Sequence, residues 1–103
     1  MDYRLADFSL VFSTRDRGAR MRADLLERMN AAPGDRHVID FDGVLSASYS
    51  FIDEFLGALI QQVGDSAPEI ANVPPAVART IERSLTRRGL DAHRVLAASL
   101  QTA

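Results

Sequence analysis

Residues 40–56 carry, without a break, the signals of a buried strand, a short polar loop and the first turns of a helix. Phe41 and Val44 belong to the strand. Beyond the loop, apolar residues recur at helical spacing: Phe51, Ile52, Phe55 and Leu56. A junction of this kind places side-chain oxygens and free backbone N–H groups at one point on the surface. We therefore expect any binding site to begin at this loop.

Short apolar runs alternate with amphipathic segments along the rest of the chain. Strands are predicted over residues 8–12, 38–44 and 68–73, and helices over about residues 16–31, 50–63, 76–88 and 90–100. This order predicts an α/β layer of mostly parallel strands with right-handed crossovers. Because the chain has 103 residues and is 47% hydrophobic, we expect one domain with one core over residues 1–103.

The starts of the first two helices carry the residues of greatest interest. Ser13 or Thr14 is the expected N-cap of the first helix. Ser50 is the expected N-cap of the second, with Asp53 in the capping-box position, and its hydroxyl is also a candidate phosphorylation site or anion ligand. Asp53 and Glu54 fit compensation of the helix dipole better than a catalytic pair, because adjacent helical residues point in different directions.

Three loops are expected to meet at the carboxyl ends of the strands, where open parallel sheets gather their sites. They hold residues 13–15, residues 46–50 and Asn72. Arg15 and Arg17 follow the first strand, and Arg15 has two open roles there: binding Asp53, or binding a phosphate or a partner carboxylate. Tyr49 is either a partner-facing aromatic residue or part of the core. The candidate partner-binding or anion-binding residues are Thr14, Arg15, Arg17, Ser48, Tyr49, Ser50, Asp53 and Glu54.

Composition excludes several classes of function. The chain has no cysteine and two histidines, His37 and His93, far apart in sequence, so we expect no metal site and no cofactor. A net charge of −2 disfavours nucleic-acid binding, although every basic residue is arginine, which suits either bidentate recognition or simple codon usage. No stretch is apolar enough to span a membrane, which predicts a cytoplasmic protein. No nucleophile lies beside a base and no phosphate-binding glycine loop is present, so an enzyme is not expected.

Four segments together resemble the STAS-like family of small bacterial domains, which is related to the anti-sigma factor antagonists. They are residues 12–18, 39–44, 48–55 and 72–77, and the most specific part is a Ser-Phe-x-Asp-Glu cluster that follows an Asp-Phe-x-Gly-Val strand. The resemblance implies an α/β fold in which a mixed or mostly parallel sheet of about four strands packs against three to four helices.

The resemblance also implies a non-catalytic signalling module. Its partner would be a GHKL-type ATPase or kinase, or another anti-sigma-like regulator, bound through the loop at the start of the second helix. Ser50 occupies the position of the serine that is phosphorylated in the antagonists, while Ser48, Tyr49 and Phe51 replace the Asp, Ser and Gly around it. The alternatives are a regulatory domain that binds a small molecule or nucleotide at the same helix start and, less strongly, a homodimer formed through exposed apolar helix faces.

Overall fold

The computed structural model describes residues 1–100, with side chains as far as residue 97; residues 101–103 of the predicted domain lie outside the described residues. The strands are β1 (Asp2–Arg4), β2 (Val11–Phe12), β3 (Val38–Asp40), β4 (Ser46–Ala47) and β5 (Glu69–Ala71). The helices are α1 (Arg15–Ala31), α2, α3 (Pro75–Arg87) and α4 (Ala92–Leu100). Helix α2 runs without interruption through an α-helical segment, a π-helical segment and a second α-helical segment: Tyr49–Ile52, Asp53–Gly57 and Ala58–Val63.

The strands form two small parallel sheets. One has the order β1-β3-β5 and the other pairs β2 with β4. The predicted α/β class with parallel strands is therefore confirmed, while the single sheet of about four strands is replaced by two sheets within the described residues. The physical reason is a turn at Asp42 and Gly43, where Gly43 adopts a φ of 86° that suits glycine.

That turn changes two of the predicted strands. The strand expected over residues 38–44 stops at Asp40, and the chain bends before it pairs again as β4. The strand expected over residues 8–12 shrinks to β2, because a 3₁₀ turn over Leu5–Asp7 precedes it. Strands β1 and β4 are too short to show a period in the sequence, and they were not predicted.

The edge of strand β2 that faces away from β4 pairs with no strand of the described residues, and its backbone groups form hydrogen bonds with a nearby side chain. The carbonyls of Leu10 and Phe12 face β4, so the N–H and C=O of Val11 point the other way. The Ser9 hydroxyl donates to the Val11 carbonyl at 2.9 Å and accepts from the Val11 N–H at 3.2 Å. Three large apolar side chains at these strands are nevertheless exposed: Leu10, Val11 and Leu45.

The helix boundaries largely follow the sequence signals. Thr14 caps α1 by accepting the Arg17 N–H at 3.2 Å. Pro75 occupies the first turn of α3, where its missing N–H costs nothing. Gly89 ends α3 with a φ of 73°.

A line of stacked aromatic rings connects the two sheets to α2. Phe12 of β2 lies 4.8 Å from Phe51, Phe51 lies 5.3 Å from Phe55, and Phe55 lies 6.2 Å from Tyr3 of β1, measured between ring centroids. All four side chains are buried, so Phe51 turns into the core. This packing fixes how α2 leaves β4, and therefore where its first turn lies.

Candidate functional site

Helices α1 and α2 begin side by side, at the carboxyl ends of the paired strands β2 and β4. The Ser48 N–H donates to the Phe12 carbonyl at 2.8 Å, and the Ser48 hydroxyl donates to the Ser13 carbonyl at 3.0 Å. The same hydroxyl accepts the Phe51 N–H at 3.1 Å, so Ser48 is the N-cap of α2. The prediction that Ser50 caps this helix is wrong, because the cap lies two residues earlier and the helix begins at Tyr49.

Ser50 is therefore the second residue of α2. It is partly exposed, and its hydroxyl has no hydrogen-bond partner among the described residues. The Asp53 carboxylate does not complete a capping box either, because it binds arginine and serine side chains. Of the two loop serines, Ser48 both donates and accepts a hydrogen bond through its hydroxyl, whereas the Ser50 hydroxyl has no partner among the described residues.

The π-helical segment of α2, Asp53–Gly57, lies between α1 and α3. A π turn is usually one extra residue held in place by its surroundings. Gly18 of α1 lies so close that a β-carbon there would be 2.8 Å from the Phe51 carbonyl oxygen. Gly57 lies closer still to α3, since a β-carbon there would overlap the Ser84 hydroxyl and would be 2.9 Å from the Nε atom of Arg88, the residue after α3. Glycine at these two positions allows the three helices to meet.

Asp53 is held inside this junction by three side chains. Arg88, next to the end of α3, binds both carboxylate oxygens, with Nε 2.8 Å from Oδ1 and Nη2 3.0 Å from Oδ2. The buried Ser84 hydroxyl donates to Oδ1 at 2.8 Å, and Arg15 donates to Oδ2 at 2.9 Å. Asp53 has only 12% of its side chain exposed, so a bidentate arginine compensates much of its desolvation.

Glu54 is bound on the opposite side of the π turn. Arg22 of α1 donates to Oε2 at 2.7 Å, and Arg15 donates to Oε1 at 3.3 Å. The same arginines also satisfy backbone groups of the π turn: Arg22 donates to the Glu54 carbonyl, and Arg88 donates to the Asp53 carbonyl at 3.2 Å. We call Asp53, Glu54, Arg15, Arg22 and Arg88 the ion network.

The ion network keeps its carboxylates charged. The hydrogen bond from Arg88 is the main reason that the pKa of Asp53 lies well below its ordinary value, even though burial opposes the shift. The hydrogen bond from Arg22 lowers the pKa of Glu54 in the same way. Hydrogen bonds to Asp53 in turn raise the pKa of Arg15 and of Arg88. A carboxylate held ionised in this manner is a poor proton donor and serves the fold.

Of the two open roles of Arg15, the structure shows the first, the binding of Asp53. Its Nη1 atom bridges Asp53 and Glu54, and 48% of its side chain remains exposed. The carboxylates are also better explained by three arginines than by the helix dipole. Arg17 lies apart from this network: its guanidinium covers the Phe12 ring at 5.1 Å and donates to the Phe8 carbonyl at 3.4 Å.

The third predicted loop contacts the bend after β3. Asn72 follows β5 and donates to Asp40 at 3.0 Å, at the end of the three-stranded sheet. Asp40 also accepts the Asp42 N–H at 2.9 Å, so these side chains brace the bend after β3. The carboxyl ends of the strands are therefore divided between two sheets.

Tyr49 lies at the surface rather than in the core, beneath two arginines of α3. The Arg83 guanidinium carbon is 4.8 Å from the ring centroid and that of Arg87 is 5.6 Å from it. Tyr49 is the first residue of α2 and precedes Ser50, so this aromatic residue extends the helix start towards α3.

Reasoning from the sequence missed Arg22, Arg88 and Ser84, and two of these left a signal. The buried face of α3 contains Val77, Ile81 and Leu85, and Ser84 and Arg88 continue that face at helical spacing. A serine and an arginine four residues apart on an apolar face indicate a buried polar partner. The close approaches of Gly18 and Gly57 have no comparable signal, because both glycines lie within ordinary helical patterns.

Within residues 1–100, no group of histidine, cysteine and acidic side chains is arranged to hold a metal ion. The helices in the described part of the chain are all too short or too polar to cross a membrane.

Comparison with known families gives one match. The family described as a STAS-like domain of unknown function matches residues 17–72, which include most of α1, the bend after β3, all of α2 and β5. Searches of curated proteins and of solved structures found no match. The matched segment is more than half of the chain, and it contains the Ser48 cap, Ser50 and both carboxylates of the ion network. The chain therefore belongs to the family of STAS-like domains of unknown function.

Proposed function

We propose that the chain is a non-catalytic signalling module that binds a GHKL-type ATPase or a related regulator through the start of α2. Membership of a STAS-like family supports a regulatory role. The internal binding of Asp53 and Glu54 supports a module without chemistry of its own, because both acids at the helix start are committed to arginines.

The observation that carries the proposal is the contrast between the two loop serines. Ser48 makes four hydrogen bonds through its backbone and hydroxyl, whereas the Ser50 hydroxyl is unpaired in the described structure. Ser50 also lies in the first turn of α2, where backbone amides and the helix dipole favour an added anion. Ser50 can thus gain a phosphate without any loss of internal hydrogen bonds.

The ion network removes one objection to such a switch. Asp53 and Glu54 lie three and four residues after Ser50 and would repel a phosphate if their charges were free. Since Arg15, Arg22 and Arg88 compensate those charges, the ion network has no net negative charge to oppose a phosphate on Ser50. Its main effect is then on a docked partner, which would have to accommodate two added negative charges.

The test compares binding of purified GHKL-type ATPase to the wild-type chain and to Ser50→Asp and Ser50→Ala. The ATPase is first identified by mass spectrometry of proteins captured from a lysate of the source organism. We expect Ser50→Ala to bind like the wild type and Ser50→Asp to lose at least about tenfold in affinity, or 1.4 kcal/mol. Aspartate suits the first turn of a helix, so Ser50→Asp should fold normally.

Ser48→Ala is the matched control, since it changes the same residue type two positions away. It should lower stability through loss of the cap and leave binding by the folded protein near the wild-type value. If Ser50→Asp binds the ATPase as tightly as the wild type, Ser50 is not the switch. If wild-type chain captures no GHKL-type ATPase at all, the proposed partner class is wrong.

A second candidate function is nucleotide binding at the adjoining starts of α1 and α2. The observation in its favour is that both helix N-termini lie together, so their free amides face the same region. The observation against it is that Arg15, the expected anion ligand, is bound to Asp53 and Glu54. A nucleotide at 100 times its dissociation constant should raise the free energy of unfolding by about 2.7 kcal/mol. Thermal unfolding unchanged by ATP, ADP, GTP or GDP excludes this function.

A further inference from the structure

The arginines of this protein divide into two groups by their partners. Most of them lie within 4 Å of an acidic side chain, in pairs such as Arg20 with Asp16 and Arg36 with Glu69. Arg17 lacks an acidic partner but donates to a backbone carbonyl. Among the described residues, the remaining arginines without an acidic partner are Arg79, Arg83 and Arg87.

These three arginines form a row on one helix. They lie four residues apart on α3, so their α-carbons are spaced by about 6 Å along one side of the helix. All three are exposed, and no hydrogen bond to another described residue engages them. The acidic residue nearest in sequence, Glu82, is turned about 100° around the helix from Arg83 and forms no ion pair with the row. We call Arg79, Arg83 and Arg87 the arginine row.

Tyr49 orders one end of the arginine row. Two guanidinium groups, those of Arg83 and Arg87, rest on its ring at 4.8 and 5.6 Å. A cation over a tyrosine ring at an exposed site is stabilised by about 0.5–1 kcal/mol. The ring therefore restrains two long side chains while their N–H donors remain unpaired, which lowers the entropy that a ligand must remove on binding.

The arrangement points to a ligand with several separate negative charges. A site for a single phosphate needs several hydrogen-bond donors around one point. The arginine row instead spreads its donors along two turns of α3. The chain as a whole has a net charge of −2, so this positive surface is local and does not reflect a general excess of basic residues. Carboxylates repeated along a peptide match such a row, and arginine binds carboxylates through a planar fork.

We propose that the arginine row and Tyr49 bind an acidic segment of the partner protein. The identity of that partner rests on the proposed function, because Tyr49 joins this surface to the helix start that carries Ser50. The acidic segment places carboxylates about 6 Å apart, as a helix with Glu at every fourth position does. Docking on the arginine row then holds the partner next to Ser50, where an added phosphate would repel that same acidic segment.

The first test uses a synthetic helical peptide with glutamate at every fourth position, titrated into the ¹⁵N-labelled chain. The side-chain Nε–Hε signals of Arg79, Arg83 and Arg87 should shift with saturation, while that of Arg88 should not move. The shifts should shrink by at least fivefold at 0.5 M NaCl, because exposed charges are screened. The peptide with glutamine in place of glutamate is the control and should give no shifts.

Three results of that titration would overturn the proposal. The first is an absence of shifts. The second is shifts that persist unchanged in the Arg79→Gln, Arg83→Gln, Arg87→Gln triple variant. The third is that inorganic phosphate or a single-stranded DNA oligonucleotide shifts the same arginine signals and binds more tightly than the glutamate peptide. The arginine row would then be a site for a different anion.

The second test separates this inference from the proposed function. The Arg83→Glu, Arg87→Glu variant is compared with Arg20→Glu, Arg94→Glu, which makes the same change in net charge at exposed arginines elsewhere. We expect the first variant to lose at least tenfold in affinity for the captured GHKL-type ATPase and the second to lose less than threefold. If Ser50→Asp weakens binding and both double variants bind alike, the acidic-segment inference fails while the proposed function stands. If Arg83→Glu, Arg87→Glu weakens binding and Ser50→Asp does not, the inference stands without the switch.

Discussion

Arg87 and Arg88 are neighbours in sequence at the end of α3, yet they belong to two regions of opposite character. Arg88 turns inward and binds both carboxylate oxygens of Asp53. Arg87 lies outward over the Tyr49 ring and has no acidic partner in the described structure. The ion network is closed, with each charge compensated by the chain itself, and the arginine row is open.

The comparison shows that the role of an arginine in this protein depends on the groups it contacts and not on the residue type. A closed set of charges stabilises the fold and offers little to a ligand. An open set contributes little to stability and remains available for recognition. The start of α2 lies between these two regions, so Ser50 has a rigid support on one side and an unpaired positive surface on the other.

The largest expected effect is the difference between Arg88→Ala and Arg87→Ala. Removal of Arg88 leaves Asp53 mostly buried with its main partner lost, which should lower the free energy of unfolding by about 3 kcal/mol. Removal of Arg87 should change it by no more than about 0.5 kcal/mol, because only an exposed ring contact is lost. Urea denaturation of both variants measures the difference. Equal losses would mean that the two arginines do not belong to distinct regions.

Acid should weaken the closed region next. The pKa values of Asp53 and Glu54 are lowered in the folded state, so their stabilisation is fully present above the ordinary carboxyl pKa of about 4. It is lost as the pH falls below that value towards the lowered pKa, because the unfolded chain then binds more protons. Urea midpoints between pH 6 and pH 2 record this loss. In Asp53→Asn the urea midpoint should fall less steeply as the pH is lowered. If the fall is as steep as in the wild type, the groups that titrate lie elsewhere.

Gly18→Ala tests the close contact that supports the ion network. Alanine is normally favoured over glycine in a helix by about 1 kcal/mol. Here its β-carbon would meet the Phe51 carbonyl, so we expect a net loss of about 1–3 kcal/mol in the free energy of unfolding. Ala23→Gly, at an exposed position of the same helix, is the control and should cost about 1 kcal/mol. A stabilised Gly18→Ala would show that α1 can move away from α2 at no cost.

The smallest contrast is between the two loop serines. Ser48→Ala removes the N-cap of α2 and should lower the free energy of unfolding by about 1 kcal/mol. Ser50→Ala removes a hydroxyl without a partner and should leave the free energy of unfolding within about 0.5 kcal/mol of the wild type. Thermal unfolding of the two variants under one condition is sufficient. A larger loss from Ser50→Ala would mean that Ser50, not Ser48, holds the helix start.

Much of the fold was accessible from the sequence because its signals are periodic. The helices α1 and α3 show apolar residues at three- and four-residue spacing, with Thr14, Pro75 and Gly89 at their ends, and each was predicted within a residue or two. Strands β1 and β4, which were not predicted, have only three and two residues, too few for a period of two to appear. The bend at Gly43 therefore went unseen, and with it the division into two sheets.

The candidate site was predicted by residue type but not by partner. Ser48, Ser50, Asp53 and Glu54 were all identified at the helix start, yet the cap was assigned to the wrong serine. The Ser-x-x-Asp pattern that begins at Ser50 has the spacing of a capping box. In the structure Asp53 instead binds Arg88, which lies 35 residues away, and no local sequence pattern predicts that contact. Long-range ion pairs depend on how helices pack, and that depends on contacts such as those at Gly18 and Gly57.

The Ser9 hydroxyl has a consequence for how this protein behaves in a crowded solution. By bonding both outer backbone groups of Val11, it occupies the N–H donor and one lone pair of the carbonyl that this residue would offer another strand. Exposed Leu10, Val11 and Leu45 would otherwise make this strand pair a place where copies add edge to edge and precipitate. Ser9 thus allows an exposed apolar patch at β2 while it occupies the backbone groups through which another copy would add as a strand.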